Sequence, residues 1–493
     1  MRPSSVADLP GASATHRTAR GAALHLGAQL CLAACGYIIA VLLARGLGPA
    51  AYGVFGLVYS VLLSAELAGR LGIPQAVSKL IAERRGQDHA VAATGTTLSV
   101  ALYLLVFAGF WLGAPRLEAL LNVPDGTYLF RVAAIDIPFY GLFFMLVHVL
   151  NGRRDFGRTS LATALYGISK VIGILVLVTV GPTIEGALIV NVVGSLVALS
   201  VVVTGVGREV FVATLAKQQT IMALAVPIAL MTIGAQVMLG LDLWMLSAIG
   251  KDVADQLMGQ YVAAANLAKA PNLLAFAIWA VLIPSLSRAT ADRDRDAAVD
   301  LIRGTTRFVI VLLLPACTLV AVNGHETMTL LFTADYAGGG AILEILIFGQ
   351  GLCYTVFMTF CAILIGCGRA RTSAVLALAV LPVAILSNLF LIGRLGALGA
   401  ALASLLTTAA AMIAAAAVVQ RITGPLLDVA TLSRLCAATL ALAVVGSLAP
   451  GQGILLLVEL LVLGLVFALL VLRLGLLERQ EIDAFLPTAL RRR

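Results

Sequence analysis

The chain has 493 residues and a formal net charge of +8; 61% of its residues are hydrophobic and only 12% are charged. Soluble domains carry about 25% charged residues, so half of the usual solvated surface is missing and a water-soluble globule is excluded. The basic excess is dispersed through short loops and forms no patch of the kind that binds nucleic acid.

The apolar residues fall in runs of about twenty, the length that crosses a ~30 Å hydrocarbon core as a helix, and this defines an all-α integral membrane protein. The first residues are polar and contain arginine. The run that follows is too long for a cleaved signal and lacks an A-x-A site, so it is read as a retained span. Polar breaks divide the chain into fourteen predicted transmembrane helices at 22–44, 53–78, 90–113, 128–151, 160–181, 184–206, 220–249, 256–286, 304–324, 340–366, 373–393, 398–420, 431–449 and 452–473. The domain reading is a cytoplasmic N-terminal tail (1–21), a six-helix bundle (22–208), a second six-helix bundle (209–421), two additional helices (422–475) and a cytoplasmic basic tail (476–493).

Orientation follows from the retention of Lys and Arg on the cytoplasmic side. With the N-terminus inside, 25 of the 33 basic residues lie at cytoplasmic connections, five lie outside (Arg45, Arg116, Arg131, Lys251 and Arg394) and the remaining three are deep within spans. Inside connections hold Lys79, Arg84 and Arg85, then Arg153, Arg154 and Arg158, and later Arg369 and Arg371, with Arg491–Arg493 in the tail. Both termini are expected in the cytoplasm. The stretch "ARGLGPAAYGVFGL" (Ala44–Leu57) then contains an external hairpin, with Gly and Pro as helix breakers and Tyr52 expected at the membrane interface.

Parts of the chain recur. "YGVFGLVYS…LGIPQAVSKLIAERRG" from Tyr52 resembles "YVAAANLAK…VLIPSLSRATADRDR" from Tyr261, and "YGLFFMLVHVLNGRRDFGRTSLA" from Tyr140 resembles "YTVFMTFCAILIGCGRARTSAVLA" from Tyr354. Gly186-Ala187 and Gly399-Ala400 form a third pair, and all offsets lie between 209 and 214 residues. Six spans separate the copies, an even number, so both insert in the same direction. Parallel repeats of this kind typify transporters that alternate access around a central cavity.

Ionisable residues within spans cost ~2.5–3.5 kcal/mol each near a helix centre on insertion scales and face a cavity or a partner. Here they are Glu66, Arg70, Asp136, Lys170, Asp242 and Lys269, with Glu344 and Glu459 nearer span ends. Glu66 and Arg70 are spaced for an intrahelical ion pair. Lys269 precedes Pro271 by two residues and Asp136 precedes Pro138 by two, so each bundle carries a charge beside a predicted helix break. His148 is read as a packed or hydrogen-bonded residue. No metal site or cofactor is expected: the seven cysteines form no CxxC pair, no Walker A sequence is present, and "DRDRD" (Asp292–Asp296) lacks the Gly and Glu of a calcium loop.

"LLARGLGPAAYGVFGLVYSVLLSAELAGRLGIPQAVSKLIAERRG" resembles the N-terminal signature of bacterial oligosaccharide (O-antigen, polysaccharide) flippases, within the multidrug, oligosaccharidyl-lipid and polysaccharide exporter superfamily. "LDLWMLSAIGKDVADQLMGQYVAAANLAKA" is similar to the same family's seventh-to-eighth span region. The resemblance implies a non-enzymatic transporter of the bacterial inner membrane. It would move a polyprenyl-diphosphate-linked oligosaccharide from the cytoplasmic to the outer leaflet for cell-surface polysaccharide or lipopolysaccharide biosynthesis. Its implied partners are the lipid-linked substrate, membrane lipids and the polysaccharide polymerase machinery.

A diphosphate lipid needs cations along its path, and Arg70, Lys170 and Lys269 are the candidates. Glu66, Asp136 and Asp242 are candidates for ion coupling or charge pairing, and Asn191, Gln236, Asn266, Gln350 and Asn388 for contact with sugar. The membrane potential alone favours outward movement of an anion by ~2.3 kcal/mol per charge per 100 mV. The alternative is a multidrug or organic-cation exporter of the same fold, coupled to H⁺ or Na⁺. A membrane polymerase or ligase is disfavoured because the external connections are short.

Overall fold

The computed structural model describes residues 10–83, 88–250, 255–426, 428–448, 451 and 453–473, and every element among them is helical. Arg84, Arg85, Lys251, Arg491–Arg493 and the whole predicted basic tail (476–493) lie outside the described residues. The first half contains α1 (Pro10–Arg70), α2 (Ile73–Glu83), α3 (Asp88–Leu121), α4 (Gly126–Ala134), α5 (Asp136–Gly152), α6 (Phe156–Val180) and α7 (Ile184–Val203). The second contains α8 (Gln218–Ile249), α9 (Asp255–Ala268), α10 (Pro271–Ala291), α11 (Arg295–Val322), α12 (Gly324–Leu331), α13 (Gly340–Leu346), α14 (Tyr354–Gly366), α15 (Ala370–Ala379), α16 (Leu381–Thr423), α17 (Val429–Leu448) and α18 (Ile454–Arg473). All-helical construction suits lipid, because a helix satisfies its backbone polar groups within one segment.

Ten helical stretches among the described residues are long and apolar enough to cross a membrane, where the sequence predicts fourteen. Two of the ten, Leu24–Arg70 and Ala370–Thr423, run to 47 and 54 residues, more than twice the ~20 that one crossing needs. Each contains a glycine in a non-helical conformation: Gly48 (φ 74°, ψ 169°) in α1 and Gly396 (φ 55°, ψ −129°) in α16. Positive φ at these positions is open to glycine at little cost. Past Gly396 the chain doubles back, since the hydroxyls of Ser387 and Thr407 lie 3.5 Å apart, whereas a straight helix would hold these residues about 30 Å apart. The helices α9 and α10, divided by a turn at Lys269–Ala270, and α18 cover the remaining predicted spans.

The chain forms two compact units. The first comprises the described residues of Met1–Leu43, Val61–Leu117 and Asp125–Ala229. Its core joins Ile73, Val77 and Leu80 of α2 to Phe143, Met145 and Leu146 of α5, with Ala198 and Val202 of α7. The ring of Tyr103 (α3) fills a slot between α1 and α5 that exists only because residues 69 and 141 are glycines: a Cβ on either would lie 2.5 Å or less from the ring. That slot sets how close α3 approaches the charged residues described below.

The second unit comprises Ala44–Ser60, Glu118–Pro124 and the described residues of Leu230–Arg493. Its core packs Trp279, Leu282 and Leu286 of α10 against Phe357, Phe360 and Ile363 of α14, and a satellite cluster joins α11, α17 and α18. Gly53 and Gly259 let two backbones touch, since a Cβ on Gly259 would lie 1.8 Å from the carbonyl oxygen of Pro49. Arg45 donates to the last carbonyls of α12, at Leu330 (2.7 Å) and Leu331 (2.9 Å), and Tyr336 donates to Ala44 O at 2.8 Å. Tyr52 differs from expectation. It is fully buried, accepts a hydrogen bond from Asn266 at 3.0 Å and meets the ring of Tyr336 edge-on, so protein and not the bilayer interface surrounds it.

Within each unit, connections that the sequence assigns to one side meet. Arg153 contacts Asp88 and Glu209 (3.5 and 3.8 Å) in the first unit, while in the second Arg45 reaches Leu330 and Asn122 reaches Ser247, all at connections that the sequence predicts to be external. The repeat is also visible in the turns that follow α5 and α14. Asp155 N donates to Leu150 O at 2.9 Å after left-handed Arg154, and 214 positions later Arg369 N donates to Leu364 O at 2.7 Å after left-handed Gly368. Large apolar side chains such as Leu105, Leu112, Val180, Leu386 and Leu469 are exposed, as lipid contact allows.

Candidate functional site

Each unit holds a buried polar centre. In the first, α4 ends at Ala134, Ile135 forms a turn, and α5 restarts at Asp136. Pro138 then falls in the first turn of α5, where a missing N–H costs nothing. Asp136 is fully buried and accepts a hydrogen bond from the side-chain amide of Asn191 on α7. The buried carboxyl of Glu66, on the last part of α1, faces that of Asp136, with Arg70 and Lys170 as neighbouring cations.

The ion pair expected between Glu66 and Arg70 is absent from the ion pairs of the described residues. Arg70 instead donates to Tyr140 OH at 3.0 Å and places its guanidinium 3.9 Å above the ring of Phe144. Such a cation–aromatic contact is worth ~0.5–2 kcal/mol. Lys170 donates to Tyr166 OH at 3.3 Å and sits 4.6 Å from that ring's centre. Beyond the Asn191 bond, the polar groups of this centre face one another: Asp136 lies beside Glu66 and Ser195, and the Tyr103 hydroxyl beside the Arg70 guanidinium. The centre is a cluster of buried, mutually facing polar groups, a rare arrangement in a folded interior. His148, as expected, serves locally, bonding Phe144 O at 2.9 Å.

The second centre is organised differently. Asp242 on α8 accepts from Tyr261 OH (2.8 Å), Gln350 Nε2 (2.9 Å) and the backbone N–H of Leu243 (2.8 Å). Gln350 occupies a π-helical turn, Ile347–Cys353, and its amide also reaches Ser404 Oγ at 3.2 Å. Single π turns concentrate at functional sites. Asn272 accepts from Thr355 at 2.6 Å and donates to Gln350 O at 3.4 Å. Lys269 lies in the turn before Pro271, as its spacing predicted, and acts on Asp242 as the nearby cation.

Of the residues singled out from the sequence, Glu66, Arg70, Asp136, Lys170 and Asn191 converge in the first centre, and Asp242, Lys269 and Gln350 in the second. Asn266 is engaged by Tyr52, Asn388 donates to Ala384 O of its own helix at 2.8 Å, and Gln236 is half-buried on α8 outside the hydrogen bonds just described. Sequence reading missed Tyr103, Tyr140, Tyr166, Ser195, Tyr261, Asn272, Thr355 and Ser404. The repeat contained a signal for Ser404, which follows Gly399 by five positions as Asn191 follows Gly186. No group of three or more His, Cys, Asp or Glu residues suited to a metal ion occurs among the described residues.

Comparison with known proteins agrees with this architecture. The succinoglycan biosynthesis transport protein ExoT of Rhizobium meliloti (strain 1021) is 22% identical over 355 residues, covering 68% of this chain and 66% of ExoT, just under two thirds of that relative's length. Among solved structures, the fold is similar to the lipid II flippase MurJ in an inward closed conformation (TM-score 0.73, 15% identity, 91% of this chain and 99% of that one). It is also similar to an inward-facing multidrug resistance MATE family transporter of the MOP superfamily (TM-score 0.62, 15% identity, 79% and 94%). The family described as polysaccharide biosynthesis protein matches residues 18–290, more than half of the chain. This multi-pass, all-helical membrane protein therefore belongs to the polysaccharide biosynthesis protein family.

Proposed function

We propose that the chain is a flippase that carries a polyprenyl-diphosphate-linked oligosaccharide from the cytoplasmic to the outer leaflet by alternating access between two six-helix bundles, with fourteen spans and both termini inside. The observation that carries this reading is the buried centre in which Arg70 and Lys170 are held on aromatic rings beside two facing carboxyls. Family membership and the ExoT and MurJ likenesses support it.

Two acids and two bases make this centre formally neutral. Protons on Glu66 and Asp136 leave Arg70 and Lys170 as net positive charge, complementary to a diphosphate; loss of those protons restores neutrality and releases the anion. In this scheme Arg70 orients phosphate with its planar fork, Lys170 supplies point charge, and Asn191 holds Asp136 in register. Polysaccharide polymerase machinery would consume the product on the outer face.

Depleting the protein in its host and measuring which leaflet holds lipid-linked oligosaccharide tests the proposal. Cytoplasmic-side accumulation with loss of surface glycan is expected; unchanged distribution in a host without a redundant flippase refutes it. The facing carboxyls and the MATE likeness favour a second reading, an organic-cation exporter coupled to H⁺ or Na⁺. That reading predicts drug efflux that rises on expression and is lost in Asp136→Asn.

A further inference from the structure

A basic pocket lies outside both polar centres, in the second unit. There the C-terminus of α10, the N-terminus of α11, the turn after α14 and the end of α16 enclose a pocket of about 250 Å³. Arg293, Arg295 and Arg369 line it, and Ala298, Ile302 and Ile422 contribute apolar wall. The volume is below the ~300–1,000 Å³ of sites for drug-sized ligands, enough for a headgroup fragment and too small for an oligosaccharide.

None of the three arginines takes part in an ion pair among the described residues. The one lining carboxylate, Asp294, is committed elsewhere: it accepts from Ala297 N at 3.0 Å and caps α11. Backbone turns fix where the arginines emerge. Arg293 has φ +57° and is followed by a bond from Asp294 N to Ala289 O at 3.0 Å, and Arg369 N is tied to Leu364 O at 2.7 Å. A fourth arginine, Arg303, braces the wall by donating to Thr423 O at 2.9 Å. Four helix ends, charged at the rim and apolar inside, reproduce the polarity of the layer where lipid phosphates meet acyl chains.

We infer that this pocket binds the phosphate of an anionic membrane lipid, with the guanidinium groups on the phosphate oxygens and the glycerol end against Ala298 and Ile302. Basic pockets between transmembrane helices commonly take such headgroups, and arginine suits them because its planar fork pairs two phosphate oxygens. None of the residues that line it belongs to the two polar centres.

The test uses the purified full chain in detergent and a fluorescent phosphatidylglycerol as probe. The triple variant Arg293→Gln, Arg295→Gln, Arg369→Gln should bind the probe about a hundredfold more weakly than the unaltered chain. A control of equal charge change, Arg116→Gln, Arg154→Gln, Arg208→Gln, should bind normally, and Lys at the three pocket positions should recover most of the affinity. Equal binding by the two Gln triples, or displacement by phosphatidylcholine as readily as by phosphatidylglycerol, overturns the site. Competition also identifies the source of the phosphate. A resident phospholipid is displaced best by unlabelled phosphatidylglycerol and a substrate headgroup best by a polyprenyl diphosphate, and either result retains a lipid-phosphate site. All three arginines are exposed, and gel-filtration profiles report folding separately.

Discussion

Asn191 donates its side-chain amide to Asp136, joining α7 to the first residue of α5, and the corresponding positions of the second half, Gln350 and Ser404, are also hydrogen-bonded, at 3.2 Å. The spacing is that of the repeat: Asp136 and Gln350 each precede the matching tyrosines Tyr140 and Tyr354 by four positions. The matching positions are bonded in both halves, with different chemistry. One copy retains an acid facing Glu66, whereas the other has an amide that satisfies Asp242.

This difference predicts unequal costs of removal. Asp242→Ala strands the Tyr261 hydroxyl, leaves the Gln350 amide only its bond to Ser404, and should lower stability by about 3 kcal/mol. Asp136→Ala strands a single amide and should cost about 1 kcal/mol. Thermal unfolding of the two purified variants measures the order directly, and a larger loss for Asp136→Ala would contradict the ranking by hydrogen bonds accepted.

Arg70→Ala should reduce translocation by about tenfold or more with membrane abundance unchanged, because a charge-assisted phosphate contact is lost. Arg70→Lys should recover only part of the rate, since an ammonium cannot pair two phosphate oxygens in one plane. Lys170→Ala is expected to act in the same direction. Leaflet-resolved assays of lipid-linked oligosaccharide provide the readout, and normal transport in both alanine variants would remove these residues from the path. The same holds for Lys269→Ala in the second unit.

Gly141→Ala should destabilise the first unit by about 1–3 kcal/mol, as overpacked sites do. The new methyl would meet the Tyr103 ring at 2.4 Å. Combining it with Tyr103→Leu should restore part of the loss. Two losses that simply add would show that the slot between α1 and α5 is not what the glycine protects.

The doubling back of α16 predicts a cross-link. In a background lacking the seven native cysteines, Ser387→Cys with Thr407→Cys should form an intramolecular disulfide under mild oxidation, since the native oxygens are 3.5 Å apart. Mass spectrometry of the joined peptides reports it, and a persistently reduced pair would mean one long helix in place of two spans.

Composition and the length of the apolar runs determined that this chain lives in a membrane as helices, because runs of about twenty apolar residues suit a spanning helix and not the ~10-residue alternating strands of a closed barrel. Local spacing determined the breaks at Asp136, Lys269 and Gly48, since proline and glycine act on their own segment. The repeat and the resemblance determined the family. Tertiary structure decided what each buried charge does. Spacing allowed Glu66 and Arg70 to pair, yet α5 offers Phe144 and Tyr140 to the guanidinium, and the carboxyl is left facing Asp136. It likewise decided that Asp242 is satisfied and Tyr52 enclosed. Helical periodicity assigns a side chain to a face of its own helix; the partner on that face comes from a segment tens or hundreds of residues away, and only packing supplies it.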